Sequence, residues 1–149
     1  MRYLILATAI AAAPLAAFAQ DDPVAQAIKA RQGFYTMLGA NMGVLSAMAK
    51  GDMEYDEEVA SRHAANIEAL TQYDLPMHFI EGSSNADVED TAALPAIWED
   101  MEDFRAKFAA LGDAAAGAGD AVRGGQENIG PVLGQLGGAC KACHDQYRD

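Results

Sequence analysis

Apolar residues recur at steps of three and four along most of the chain, and four stretches carry the pattern. That period places them on one face of an α-helix. No stretch alternates with a period of two, as a half-buried strand does. The first stretch covers Pro23 to Lys50, where Val24, Ile28, Arg31, Tyr35, Leu38, Met42, Leu45 and Ala49 form a heptad seam with one charged member. Gly51-Asp52 ends it, and Asp56 is placed to cap the next helix. That helix runs from Glu57 to about Tyr73, with Val59, His63, Ile67 and Leu70 on one face, and Leu75-Pro76 stops it.

A connection from Pro76 to about Ala92 follows, with Gly82-Ser83-Ser84-Asn85 inside it. It is long for a helix bundle, so it is either functional or draped over the core. The third helix is expected to start near Pro95 and to run unbroken through Ile97, Met101, Phe104, Phe108 and Leu111, with Trp98 beside them. Gly112 to Gly125 is rich in Gly and Ala and holds the next turn. The fourth helix presents Ile129, Val132, Leu133, Leu136, Cys140, Cys143 and Tyr147, with Pro131 either in its first turn or kinking it. Its Gly134, Gly137 and Gly138 are poor helix formers that allow a flat cofactor or a neighbouring helix to come close. Four amphipathic helices joined in this way predict an all-α fold, an antiparallel up-down-up-down four-helix bundle.

The fourth helix also carries the chemistry. Cys140-Lys141-Ala142-Cys143-His144 is a C-x-x-C-H motif. Its two thiols are spaced to form thioethers with the two vinyl groups of one haem, and His144 follows within the same turn as the proximal iron ligand. A zinc site would want two further ligands at similar spacing, and these are the only two cysteines in the chain. A redox dithiol belongs beside a βαβ pattern, which is missing here. The expected cofactor is one covalent haem c, a covalently bound haem in the bundle.

The first nineteen residues resemble a secretory signal: Arg2, an apolar run from Leu4 to Leu15, and Ala17-Phe18-Ala19 as the cleavage site. The run is too short to span a bilayer. A chain of two parts is therefore expected, residues 1–19 removed on export and residues 20–149 forming one domain in the periplasm. The formal net charge of the whole chain is −12. An acidic surface of this kind disfavours nucleic acid and anionic membrane and favours a basic partner.

These features together resemble the class II c-type cytochromes, and most closely the cytochrome c′ family. The marks are Arg31-Gln32 and Asn41-Met42-Gly43 in the first helix, Pro95-Ala96-Ile97-Trp98 at the third, and the C-terminal block Gly137-Gly138-Ala139-Cys140-Lys141-Ala142-Cys143-His144-Asp145-Gln146-Tyr147-Arg148. The resemblance implies a haem c with histidine on one face and no protein ligand on the other. It also implies binding of nitric oxide and carbon monoxide, an association with electron transfer, and a homodimer through the first two helices.

Carried onto this chain, the family pattern implies roles for four further residues. Tyr35 takes the distal position, where low-spin relatives have a methionine, and so stands over an open iron site; taken alone, it is a core aromatic on the seam. Arg31, one turn earlier, needs a partner for its charge and is placed to pair with a haem propionate, with Gln32 in the same network. Arg148, four residues after His144, is expected on the same helical face on the proximal side, or as a cation favourable to the helix dipole. Met42 lies about 10 Å along the helix from Tyr35 and is assigned to the core, and Met37 points away. His63 and His78 are a bundle-face and a loop histidine, not ligands. Trp98, Met101, Phe104 and Phe108 are core residues that also wall a haem.

The expectation is a periplasmic protein with five-coordinate, high-spin iron that binds small neutral gases, and not an enzyme. A low-spin electron carrier with a methionine sixth ligand, docking a redox partner protein, is the alternative. A peroxidase is disfavoured because no distal acid–base pair is visible.

Overall fold

The computed structural model describes residues 22–149; the expected signal lies outside the described residues. Six helices follow in order: α1 (Pro23–Lys50), α2 (Glu57–Thr71), α3 (Ala96–Glu99), α4 (Met101–Ala115), α5 (Ala118–Ala121) and α6 (Ile129–Tyr147). Four of them, α1, α2, α4 and α6, are long enough to build a bundle. Among the described residues there is no strand, only an isolated antiparallel bridge between Ala93 and Arg148.

The ends of the helices follow from their caps. Asp22 accepts from the Val24 N–H at 2.9 Å, and Pro23 sits in the first turn, where its missing N–H costs nothing. Gly51 closes α1 in the left-handed region (φ 78°), returning its N–H to the Ala47 and Met48 carbonyls. Asp56 then caps α2 through the Val59 N–H at 3.0 Å. Six residues between α1 and α2 leave room only for an antiparallel return.

The third helix is not continuous as the apolar period predicted. It breaks at Asp100, whose extended backbone (φ −141°, ψ 71°) separates α3 from α4. The Asp100 carboxylate accepts from the Asp103 N–H at 3.0 Å and so starts α4 afresh. An acidic side chain can satisfy orphan N–H groups in a way that apolar periodicity does not register. Pro131 is the third residue of α6 and lies in its first turn, so it does not kink the helix.

The core gathers Phe34, Leu45, Ile67, Leu75, Ile97, Ile129 and Leu136 between the long helices. On α1 the seam is only partly as expected. Ile28, Arg31, Leu38 and Leu45 are buried, but Ala27, Phe34 and Met48 join them, while Tyr35 faces the cavity described below. Phe34 and Tyr35 are neighbours and so lie about 100° apart around the helix, which turns Phe34 into the core and Tyr35 toward the cavity. No neighbouring helix among the described residues comes close to the glycines of α6: a Cβ at Gly134, Gly137 or Gly138 would meet no protein atom within 4 Å. The close approach is made by Gly119 of α5, where a Cβ would stand 3.1 Å from the Ala65 Cβ and 3.3 Å from the Ser61 carbonyl of α2.

Candidate functional site

One side of the bundle opens into a cavity of about 710 Å³ between α1, α4, α6 and the long connection. Its size lies within the range of cofactor pockets. Ile28, Leu38, Ile97, Phe104, Phe108 and Leu111 supply apolar walls. All seven residues singled out from the sequence line it: Arg31, Gln32 and Tyr35 from α1, and Cys140, Cys143, His144 and Arg148 from the C-terminal segment. Residues more than a hundred positions apart are brought together because α1 packs along α6.

Both cysteines are half-buried free thiols. Burial pushes each thiol above its ordinary range, so neither is a ready metal-binding thiolate. Among the described residues, no three His, Cys, Asp or Glu side chains cluster to hold a metal ion, which leaves a zinc site without its ligand set. His144 is pushed below its usual range, first by burial and then by the Arg148 cation, with Asp145 opposing. The imidazole is thus neutral at neutral pH, the form that ligates a metal. A mostly apolar cavity with two thiols and a neutral histidine of α6 in its lining fits the haem c expected from the motif.

Arg31 is buried to 4% exposure yet has no carboxylate within ion-pair distance among the described residues. Its guanidinium donates to the Ser83 carbonyl at 3.0 Å, to the Ser83 hydroxyl at 3.3 Å and to the Thr91 hydroxyl at 3.4 Å, and it lies over the Phe79 ring at 4.5 Å. Gln32 donates to the Asp90 carbonyl at 2.8 Å. The long connection is therefore no mere cover. It is clasped to α1 by two side chains and lines the cavity with Phe79, Asp90, Thr91 and Ala92. Nothing local in the sequence announces that pairing, because the partners lie more than fifty residues apart.

Tyr35 lines the cavity beside Phe34, whose ring meets it edge-on at 5.3 Å. Its phenol is pushed up to about 12, chiefly by burial, with the Cys143 and Cys140 thiols adding and the Arg31 and Arg148 cations opposing. Neutral at physiological pH, it is a poor iron ligand. Met42 also lines the cavity, half-buried. Met37 is 52% exposed and outside it, as its helical angle predicts. His63 engages Asn41 at 2.8 Å and His78 pairs with Tyr73; neither lines the cavity. Phe104 and Phe108 wall it, whereas Trp98 and Met101 do not.

The expected helical position of Arg148 is corrected. The last helix ends at Tyr147, and Arg148 is extended (φ −127°, ψ 136°) and bridged to Ala93. The Leu94 N–H donates to the Tyr147 carbonyl and the Asp149 N–H to the Ala92 carbonyl, each at 3.0 Å. Backbone groups that the connection leaves free capture the chain end, which is why the helix stops one residue early. Sequence reading also passed over Lys107 and the cavity role of Tyr147, whose hydroxyl donates to the Asp103 carboxylate at 2.7 Å.

Residues 26–148 match the model of a family described as cytochrome C′. The cytochrome c′ of Cereibacter sphaeroides is 41% identical over 148 residues, spanning 99% of this chain and 98% of the relative. Cytochrome c prime from Shewanella frigidimarina has a solved structure that matches with a TM-score of 0.74 at 38% identity, covering 87% of this chain and 98% of that one. A nitric oxide complex of a mutant cytochrome c prime from Alcaligenes xylosoxidans matches with a TM-score of 0.71 at 28% identity, covering 87% and 98%.

Proposed function

The chain belongs to the cytochrome c′ family, and from that premise we propose that it is a periplasmic haem c protein that binds small neutral gases, nitric oxide and carbon monoxide, at an open iron position. The observation that carries this reading is the meeting of Cys140, Cys143 and His144 with Tyr35 across one apolar cavity. When bound, haem c supplies an iron to which a neutral diatomic coordinates.

The chain's own residues hold and shape that site. The thiols of Cys140 and Cys143 would anchor the group, and the neutral ring of His144 would supply an iron ligand. Arg31 offers a buried charge with only neutral partners, so a propionate is its natural counter-ion. Gln32 holds the connection across that same edge through the Asp90 carbonyl. Tyr35 and the apolar walls exclude water and hydrated anions from the distal side while admitting uncharged gases. Arg148, held by its bridge to Ala93, keeps a cation on the histidine side.

Titration of the haem-loaded protein with nitric oxide tests the proposal. Stoichiometric spectral change with reversible release supports gas binding. A spectrum indifferent to nitric oxide and to carbon monoxide favours the second reading, a low-spin electron carrier docking a basic redox partner. Met42 lends that reading its support, because it lines the same cavity. A homodimer through the exposed face of α1 and α2 belongs to the proposal, and sedimentation tests it.

A further inference from the structure

We propose that Tyr147 is a redox-active residue of the cavity, giving up an electron through its ring and its proton to Asp103 when the haem-loaded protein meets hydrogen peroxide. The proposal rests on the haem-bearing reading above, and not on which gas the site binds.

A phenol is a useful one-electron donor only when a base takes its proton as the electron leaves, because the protonated radical is far too acidic to persist. The four tyrosines among the described residues differ sharply on this point. The Tyr147 hydroxyl donates to the Asp103 Oδ2 at 2.7 Å. Its ring is 2% exposed, lines the cavity, and stands four residues after Cys143 on the haem-bearing helix. Gln146 Nε2 donates to the same phenol oxygen at 3.0 Å and holds it in place. Lys107 Nζ lies 3.5 Å from the Asp103 Oδ2, so the acceptor is held as a carboxylate, and Asp103 is 39% exposed, which lets the proton pass on to solvent.

The other candidates lack one of these parts. Tyr35 lines the cavity but has no hydrogen-bond partner among the described residues. Tyr55 donates to the Val122 carbonyl, which is no base, and lies outside the cavity. Tyr73 has His78 beside it but is 48% exposed and also outside. Trp98 donates its indole N–H to the Phe79 carbonyl at 3.1 Å and likewise has no base.

The step balances from the ferrous protein. Hydrogen peroxide takes two electrons and two protons from solvent, its O–O bond breaks, and it leaves as two waters. Bound haem would supply one electron, its ferrous iron becoming ferric. The second comes from Tyr147, whose O–H bond breaks as its proton forms a bond to Asp103 Oδ2, leaving a neutral tyrosyl radical beside a neutral carboxyl. Phe104, edge-on to Tyr147 at 5.4 Å, screens the ring from solvent.

The test is electron paramagnetic resonance of the reduced, haem-loaded protein mixed with one equivalent of peroxide and frozen. A radical signal that narrows when tyrosine is supplied ring-deuterated identifies a tyrosyl. Tyr147→Phe should lose it while keeping the optical spectrum of the haem, and Tyr73→Phe, outside the cavity, should retain it. Asp103→Asn, which leaves the phenol in place without its base, should lower the yield by roughly tenfold or more. A signal that survives Tyr147→Phe, that tracks Tyr73, or that never forms in the parent protein overturns the proposal. A carbon monoxide spectrum on the same sample keeps the two readings apart: gas binding without a radical sinks this inference alone.

Discussion

The guanidinium of Arg31 lies 4.5 Å from the centroid of the Phe79 ring, and the two side chains form one corner of the cavity. A charge on an otherwise apolar seam is tolerated here by an aromatic face and three neutral oxygens instead of a carboxylate. Burial, opposed by Tyr35, lowers the arginine's pKa, yet a guanidinium keeps its proton in any folded protein.

Replacing Arg31 by Leu therefore removes bonds made by a buried charged donor and leaves Ser83 and Thr91 with unmet acceptors. The expected cost is about 2–4 kcal/mol, read from urea unfolding of the haem-loaded protein. Arg31→Lys should recover only part of it, because an ammonium cannot span the Ser83 and Thr91 oxygens as a planar fork does.

Helix breaks carry their own test. Asp100→Ala removes the side chain that starts α4, and should cost about 1 kcal/mol in the same assay. No change beyond error would show that α4 begins without its cap.

Two glycines should respond with opposite signs. Gly119→Ala forces a methyl to 3.1 Å from Ala65 where α5 crosses α2, and should destabilise by about 1–3 kcal/mol. Gly134→Ala places a methyl in open space within α6, and should stabilise by about 0.5–1 kcal/mol. Thermal unfolding of the two variants side by side checks both signs.

The four helical stripes, the caps at Asp56 and Gly51, and the haem-bearing motif were legible because they rest on local spacing. So were all seven cavity residues, through the motif and the family pattern. What escaped is long-range or electrostatic. The break at Asp100 depends on a carboxylate turning back on its own helix. The release of Arg148 depends on free backbone groups at residues 92–94, brought from more than fifty positions away. The placing of Phe34 inward and Tyr35 in the cavity depends on which neighbouring helices pack against α1, and that is not local to the sequence.

Alkaline pH gives a further test, centred on Tyr35. Its phenol is pushed up to about 12 in the folded state against an ordinary value near 10. A raised folded value means that the folded protein holds the proton more tightly. The stabilisation is thus fully present below pH ~10 and lost as pH rises toward ~12. Unfolding free energy should fall across that window, and Tyr35→Phe should flatten this component. An equal fall in Tyr35→Phe would assign the loss to other groups.

The most direct measurement is the optical spectrum of the reduced haem-loaded protein before and after carbon monoxide. A broad high-spin spectrum that shifts on adding the gas is predicted, with Tyr35 near the iron but not bound to it. A sharp low-spin spectrum unmoved by carbon monoxide would contradict the open site, and would point to Met42 as the sixth ligand and electron transfer as the role.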